Sequence, residues 1–429
     1  MTQLNKALLL CFSCVLLSWI FGCSSSNLLL PNGYLYLSNS ARPGSMAAFN
    51  VTEGSLARIV DSPFVTNGNA PYSLASVSTK FLYAGVPATA KGGVITRVLG
   101  RTLTGSVPGG IMLLPIRDDH TLNLPQLYAG GGDYDPIAVP PGGGFLYAAD
   151  LSANQLAEFS INSTSGALTG IGPQGPPPGV AVGPDPFNVV IDPQGKFVFV
   201  ANCDFTNPSN KGSVSVFSIN GDGTLTAVSG SPFLMGGGAS HPAALAVSSD
   251  NSFLFVASLD DKVYVESISN GALTDLGSVA LPTGSTPISI AVSFDGGNSI
   301  YTGNAGTKNV SFFLNCVQST VQTGCMGVTA PLVLQTTGGG PVGGTVGVVL
   351  ADPTSIAASS ATSAINLGHF LYVTDYDHGL VLVYTVTSTT ACTNWPNTTS
   401  CTPIPGTLTE TGSAVATGGG NPFGLTMAH

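Results

Sequence analysis

The chain has 429 residues, 55 of them glycine and 30 proline, with 43% hydrophobic and only 8% charged side chains. That hydrophobic share excludes an intrinsically disordered chain, which could not bury enough apolar surface to offset its ordering entropy. A net charge of −10, with 12 lysines and arginines spread along the length, excludes the clustered positive charge that nucleic acid requires.

From the N-terminus, Lys6 precedes an apolar run from Ala7 to Phe21 that is short for a membrane span and fits the h-region of a signal peptide. Residues 1–22 read as that signal. Ile20 to Cys23, IFGC, resembles the bacterial lipobox, in which a diacylglycerol is attached to the cysteine that becomes the mature N-terminus. On this reading Cys23 is lipidated, residues 23–30 are a tether, and one domain spans 31–429. The folded body is then extracytoplasmic, anchored by lipid to the bacterial cell envelope (outer membrane or periplasm). Plain secretion is the alternative.

Beyond the tether, an apolar run with a central aromatic and a small or polar last residue recurs seven times: YLYLSN at Tyr34, FLYAGV at Phe81, FLYAAD at Phe145, FVFVAN at Phe197, FLFVAS at Phe253, SIYTGN at Ser299 and FLYVTD at Phe370. Most copies have a Pro-led apolar run upstream, such as PFNVVID or PAALAVS, and an alternating run downstream, such as GSVSVFSIN. A turn of the GDGTLT or SGALTG kind follows, and sometimes SPF. Each unit supplies four short strands, and the anchors are spaced by about 56 residues, the scale of a propeller blade. A blade cannot bury both faces alone, so the units must close into a ring. The first anchor has no Pro-led run before it, and the C-terminal NPFGLTMAH has no anchor after it. The expectation is an all-β, seven-bladed β-propeller of four-stranded blades, closed by the C-terminal strand pairing into the N-terminal blade.

Late in the chain, Cys316 and Cys325 flank VQSTVQTG, and Cys392 and Cys401 flank TNWPNTTS, two loops of equal length that each follow a strand-like run. Two local disulfides fit this spacing in an oxidising compartment. The rival zinc reading has no CxxC or Cys/His spacing to support it. Cys203 is left over, a buried small apolar residue or else a reactive thiol.

The Pro-led strand together with DPQGKFVFVAN, GSVSVFSIN, GDGTLT and GSPF resembles the seven-bladed propellers of the YVTN and lactonase families, the latter including 6-phosphogluconolactonase-like enzymes. The likeness is clearest from Pro136 to Asn304, and departs at insertions in blades 2 and 7. In this fold the loops leading into the innermost strand and leaving the second strand share one face around the central channel. That places Asp135, Asp185, His241 and Asn421, each just before a proline, beside Asn39, Asp150, Asn202, Asp204, Ser258, Asn304 and Asp375. The functional reading of this polar, acid-leaning rim is a pocket for a sugar-like or cationic ligand. The bland reading is turn chemistry, since Asp and Asn favour turns and strand ends in any case.

The resemblance further implies a His-Pro-Arg-His-like approach to one inner strand and a glutamate after a neighbouring anchor. Here His241-Pro242 is followed by Ala243 and Ala244, and Cys203 and Asp204 stand where the glutamate is wanted. The catalytic candidates are therefore His241, Asp185 and Asp204, with Asp135, Asp150, Asn202, Asn304 and Asp375 as a ligand-binding rim. DYDH at Asp375 to His378 offers possible metal ligands or a solvated strand end, and NGDGT at Asn220 a partial calcium loop or a hairpin turn. No GxSxG or HExxH motif occurs. The sequence reading favours an envelope scaffold that binds a glycan, a peptide or another envelope protein. It expects a monomer with no cofactor or metal and no nucleic-acid partner, touching the membrane only through its lipid. The alternative is a lactonase-type hydrolase of sugar lactones with a diverged site.

Overall fold

The computed structural model describes residues 33–40, 44–52, 55–67, 70–87, 109–128, 132–172, 179–204, 211–236, 240–292, 299–317, 332–337, 345–351, 368–375, 378–387, 390–392, 401–403, 407–410, 414–419 and 422–428. All of them fall in the unit Asn32–His429. The signal peptide, Cys23 and Cys325 lie outside the described residues.

The strands group into seven antiparallel blades. Blade 4 shows the plan, with Pro186–Ile191 innermost, then Phe197–Asn202, Ser213–Ile219 and Leu225–Ala227. The other innermost strands are Leu74–Val77, Tyr134–Ala138, Pro242–Val247, Pro287–Val292, Thr345–Ala351 and, for blade 1, Pro422–Ala428. These seven strands contact one another in cyclic order. The C-terminal strand therefore completes the first blade, as expected: Tyr34 pairs with Ala428, Leu37 with Leu425 and Asn39 with Pro422.

The second strand of each blade reads as a continuous apolar run because both of its faces are buried. Phe199 and Ala201 pack toward blade 5 with Leu245, Leu254 and Val256, while Val198 and Val200 pack toward blade 3 with Tyr147, Ala149 and Leu156. Each large apolar side chain so buried contributes about 1.5–3 kcal/mol relative to exposure.

Two details of the repeat become intelligible in three dimensions. In blades 1 to 3 the tyrosine at the centre of the anchor motif pins its blade to the turn of the next. The hydroxyl of Tyr36 donates to the His120 carbonyl (3.1 Å), that of Tyr83 to Gly166 (2.6 Å) and that of Tyr147 to Gly223 (2.8 Å). In the SPF motif the serine replaces a strand partner: Ser62 Oγ accepts the Ala48 N–H (2.9 Å), and Ser231 Oγ accepts the Val216 N–H (2.8 Å). The phenylalanine that follows then resumes the pairing, Phe64 with Met46 and Phe233 with Val214.

Two carboxyl groups are buried in the blade walls. Glu158 accepts the Leu225 N–H of the next blade (3.0 Å), and burial raises its pKa above the usual range. Glu266 is 2% exposed with Oε1 unpartnered. Burial, and then the cross-strand neighbour Asp275, push its pKa from 4.5 to about 8.

Two outcomes follow from this architecture. Deleting 422–429 removes the innermost strand of blade 1 and the seal of the ring, so the truncated protein should lose its cooperative thermal transition in circular dichroism. An unchanged melting curve would contradict the closure. For Glu266, the native state keeps its proton after the unfolded chain has released it. Between pH 4.5 and about 8 the folded state therefore binds more protons, and stability falls as pH rises. The slope is at most about 1.4 kcal/mol per pH unit. Glu266→Gln should flatten the dependence of denaturation midpoint on pH across that window, and an unaltered slope would show that this group does not carry it.

Candidate functional site

Antiparallel pairing puts the end of every second strand against the start of its innermost strand. The partners are Asn39 with Pro422, Asp150 with Tyr134, Asn202 with Pro186, Ser258 with Pro242, Asn304 with Pro287 and Asp375 with Thr345. These residues thus lie at the same end of their blades. Their side chains, however, are buried, with exposures of 0–3%, and taken up by bonds within their own blades. Asn202 Nδ2 donates to Ser213 Oγ (3.0 Å) and Ser215 Oγ (2.9 Å). Asn304 Nδ2 donates to Asn309 Oδ1 and Ser311 Oγ, each at 2.8 Å. Asp150 Oδ1 accepts the Ser152 N–H, the Ser152 hydroxyl and the Ala153 N–H. Asp375 accepts the His378 N–H and pairs with the exposed His378 ring at Nδ1 (2.8 Å). These groups shape the loops that leave the second strands, which is how Asn and Asp serve turns.

The residues that lead into the innermost strands behave differently. Asp185 and His241 occupy equivalent positions: the Asp185 carbonyl accepts the Cys203 N–H and the His241 carbonyl accepts the Leu259 N–H, both at 3.0 Å. In blade 3 the equivalent residue is Asp133, whose carbonyl accepts the Leu151 N–H. The sequence reading placed Asp135 there because it precedes a proline. It lies two residues further on, in the bulge between the Tyr134–Asp150 and Ile137–Ala148 pairs. The same bulge position holds Phe187, Ala243 and Ile288 in blades 4, 5 and 6. Asn421 lies outside the described residues.

The three catalytic candidates converge at the junction of blades 4 and 5. Asp185 and Asp204 both adopt positive φ, 50° and 49°, a conformation that Asp tolerates better than most residues. The two bends bring the Cys203 N–H to Asp185 and the Asp204 N–H to the Pro184 carbonyl (3.3 Å). Cys203 is a free and buried thiol. Burial first, then the charges of Asp185 and Asp204, raise its pKa well above the usual thiol value, so it is inert rather than nucleophilic. Its carbonyl oxygen lies 2.8 Å from His241 Nδ1. The His241 N–H donates to Ser258 Oγ (2.9 Å), so backbone and ring are both held.

Asp135 is half-buried, and its Oδ1 accepts the Ser73 N–H of blade 2 at 3.2 Å. Burial, offset in part by bonding to Ser73 and reinforced by Asp133, raises its pKa to about 7. A side chain on Gly85 would strike the Tyr134 carbonyl and crowd the Asp135 carboxyl, so a glycine is needed for this approach. Here Val86 also bridges to Tyr134, which fuses blades 2 and 3 into one nine-stranded sheet.

Among the described residues, basic groups near the mouth are few. Lys211 and Lys308 stand just before the third strands of blades 4 and 6, and Lys262 opens that of blade 5, paired to Asp260 (3.1 Å). The described arginines, Arg58 and Arg117, lie in the outer strand of blade 1 and beyond the far end of the third strand of blade 2. Among the described residues no group of three or more His, Cys, Asp or Glu is placed to hold a metal ion. The NGDGT stretch is a closed hairpin turn in which Asp222 Oδ1 accepts the Thr224 N–H and hydroxyl. Cys392 and Cys401 sit opposite each other in a two-stranded ribbon, the placement a local disulfide needs.

Comparison with known proteins adds a family. The family model described as lactonase, 7-bladed beta-propeller matches residues 97–418. A 6-phosphogluconolactonase of Bacillus subtilis is 25% identical over 277 residues, covering 62% of this chain and 70% of that protein. A 6-phosphogluconolactonase of Formosa agariphila is 41% identical over a shorter stretch of 73 residues, 17% of this chain and 19% of that protein. Among solved structures, a putative 6-phosphogluconolactonase of Bacteroides fragilis superposes with a TM-score of 0.62 at 16% identity, over 92% of this chain and 98% of that one. The periplasmic gluconolactonase of Pseudomonas aeruginosa superposes with a TM-score of 0.60 at 16% identity, over 92% and 99%. At that identity the superpositions speak for the fold alone.

Proposed function

Because the chain belongs to the lactonase family of seven-bladed β-propellers, we propose that it hydrolyses a neutral sugar lactone at the mouth of the channel, where blades 4 and 5 meet. The observation that carries this reading is the orientation of His241. A backbone carbonyl can only accept, so the contact of Nδ1 with the Cys203 oxygen puts the ring proton on Nδ1. The basic lone pair is then on Nε2, and the ring is fixed as a base that can take a proton from water attacking the lactone carbonyl.

The substrate class follows from charge. The arginine that the family pattern implies is Ala243 here. Among the described residues, acidic groups outnumber the lysines of the mouth loops, which disfavours a phosphorylated lactone. An uncharged aldonolactone suits the site better.

His241→Gln should lower kcat/KM on an unphosphorylated aldonolactone by on the order of 10²–10⁴. Asp222→Ala, in the turn at the other end of the blades, should leave it unchanged. Wild-type protein that binds such a lactone without hydrolysing it at any pH would return the scaffold reading instead. The proposal also keeps the envelope location: Cys23→Ser should move the protein from the membrane fraction to the soluble fraction. Persistence in the membrane after signal cleavage would rule out the lipid anchor.

A further inference from the structure

We propose that Ser258 is the positioning residue of this site: by accepting the His241 N–H from within its own blade, it selects the backbone conformation that turns the His241 ring onto blade 4. The catalytic consequence rests on the hydrolytic reading above, whereas the orientation of the ring can be tested apart from it.

Ser258 departs from its counterparts. In blades 1, 3, 4, 6 and 7 the anchor run ends in Asn39, Asp150, Asn202, Asn304 and Asp375. Their side chains bond forward, to the loop or the third strand that follows. Blade 5 ends its anchor in a fully buried serine. Its Oγ instead accepts the N–H of His241, the residue that leads into the innermost strand (2.9 Å).

The choice of acceptor goes with the conformation of the backbone. Asp133, Asp185, His241 and Thr286 are equivalent entry residues, since the carbonyl of each accepts the N–H of the residue just after its anchor. In blades 4 and 6 a side chain of the preceding blade takes the entry N–H, Asn154 Oδ1 for Asp185 (3.0 Å) and Asp261 Oδ1 for Thr286 (2.8 Å). Both entry residues adopt positive φ, 50° and 48°. In blades 3 and 5 the end of the blade's own anchor takes it, Asp150 Oδ1 for Asp133 (3.4 Å) and Ser258 Oγ for His241, and neither entry residue has positive φ. The acceptor and the sign of φ change together. A change in that sign moves the residue to a separate region of backbone space and re-aims its side chain.

The surroundings of His241 are fixed from blade 4. The Gly212 N–H donates to the Ser240 carbonyl (2.7 Å), and the Ser240 hydroxyl donates to the Met235 carbonyl (2.9 Å). A Cβ on Gly212 would strike Pro242 and the Ser240 carbonyl, so the residues on both sides of His241 lie directly against blade 4. The Cys203 carbonyl is set by the bends at Asp185 and Asp204. With its flanks and the acceptor of its ring held, the direction of the His241 side chain depends on its own peptide N–H, and Ser258 takes that group. The ring then meets the Cys203 carbonyl through Nδ1 (2.8 Å), which keeps the proton there and the lone pair on Nε2.

The test reads the His241 ring directly, by nitrogen NMR of isotope-labelled protein at a pH where the imidazole is neutral. The chain has five histidines, so His241→Gln assigns the signals. The wild type should show Nδ1 protonated and Nε2 unprotonated. Ser258→Ala should lose that single tautomer, and should lower kcat on an unphosphorylated aldonolactone by on the order of 10²-fold with KM nearly unchanged. Asp261→Ala removes the corresponding N–H acceptor one junction along. It should lower the melting temperature as Ser258→Ala does, while the His241 signals and kcat stay as in the wild type. If Ser258→Ala does not fold, Ser258→Cys takes its place, being of similar volume with only a weak acceptor. Wild-type ring signals and kcat in the Ser258 variant overturn the positioning role, as does an equal loss of both in Asp261→Ala. Absence of hydrolysis by the wild type defeats the hydrolytic reading instead, and the ring signals still decide whether Ser258 sets His241.

Discussion

Pairing of Pro422–Ala428 with Gly33–Asn39 is the contact on which the rest of the molecule depends. Every blade is apolar on both faces, so each is stable only between two neighbours, and a row of seven would leave two such faces in water. Joining the two ends of the chain in one blade removes both at once. The innermost strands then form a continuous ring. The tyrosine bonds from blades 1, 2 and 3 add direction to that closure, since each hydroxyl reaches one particular turn of the next blade.

Closure also creates the place where chemistry is possible. Antiparallel blades repeat the same juxtaposition around the ring, a strand start beside a strand end, and polar residues collect there. Two populations result. Asn202, Asn304 and Asp150 point back into their own loops and keep those loops in shape. His241 and Asp135 are held by backbone groups of the neighbouring blade, and both are only half-buried. A side chain fixed across the junction between two blades is positioned by the ring as a whole, which is the rigidity a reacting group requires.

The balance of charge gives the mouth its character. Among the described residues carboxylates gather with little cationic compensation, and part of the cost of burying such groups appears as retained protons, at Asp135 in the mouth and at Glu266 in the blade wall. The same physics acts in two places: in the wall it makes stability depend on pH, whereas at the mouth it keeps a proton on Asp135.

Much of this was legible in the sequence. Seven anchor motifs, their Pro-led partners and the unpaired run NPFGLTMAH determined the blade number and the way the ring closes, because strand patterns are local and burial on both faces leaves an unbroken apolar run. His241 and Asp185 were also visible, since in blades 4 and 5 a polar residue before the proline of the inner strand marks that corner. What only the tertiary structure decided is which polar residues are sealed and which are open. Asn202 and Asp204 are near neighbours in the chain and both are buried, yet one is locked to two serines while the other turns at positive φ. The placement of Asp135 was also out of reach, because a bulge is set by cross-strand register and by the close approach of blade 2 at Gly85. Its retained proton has the same origin: the strands that bury it are distant in sequence and meet only when the ring is formed.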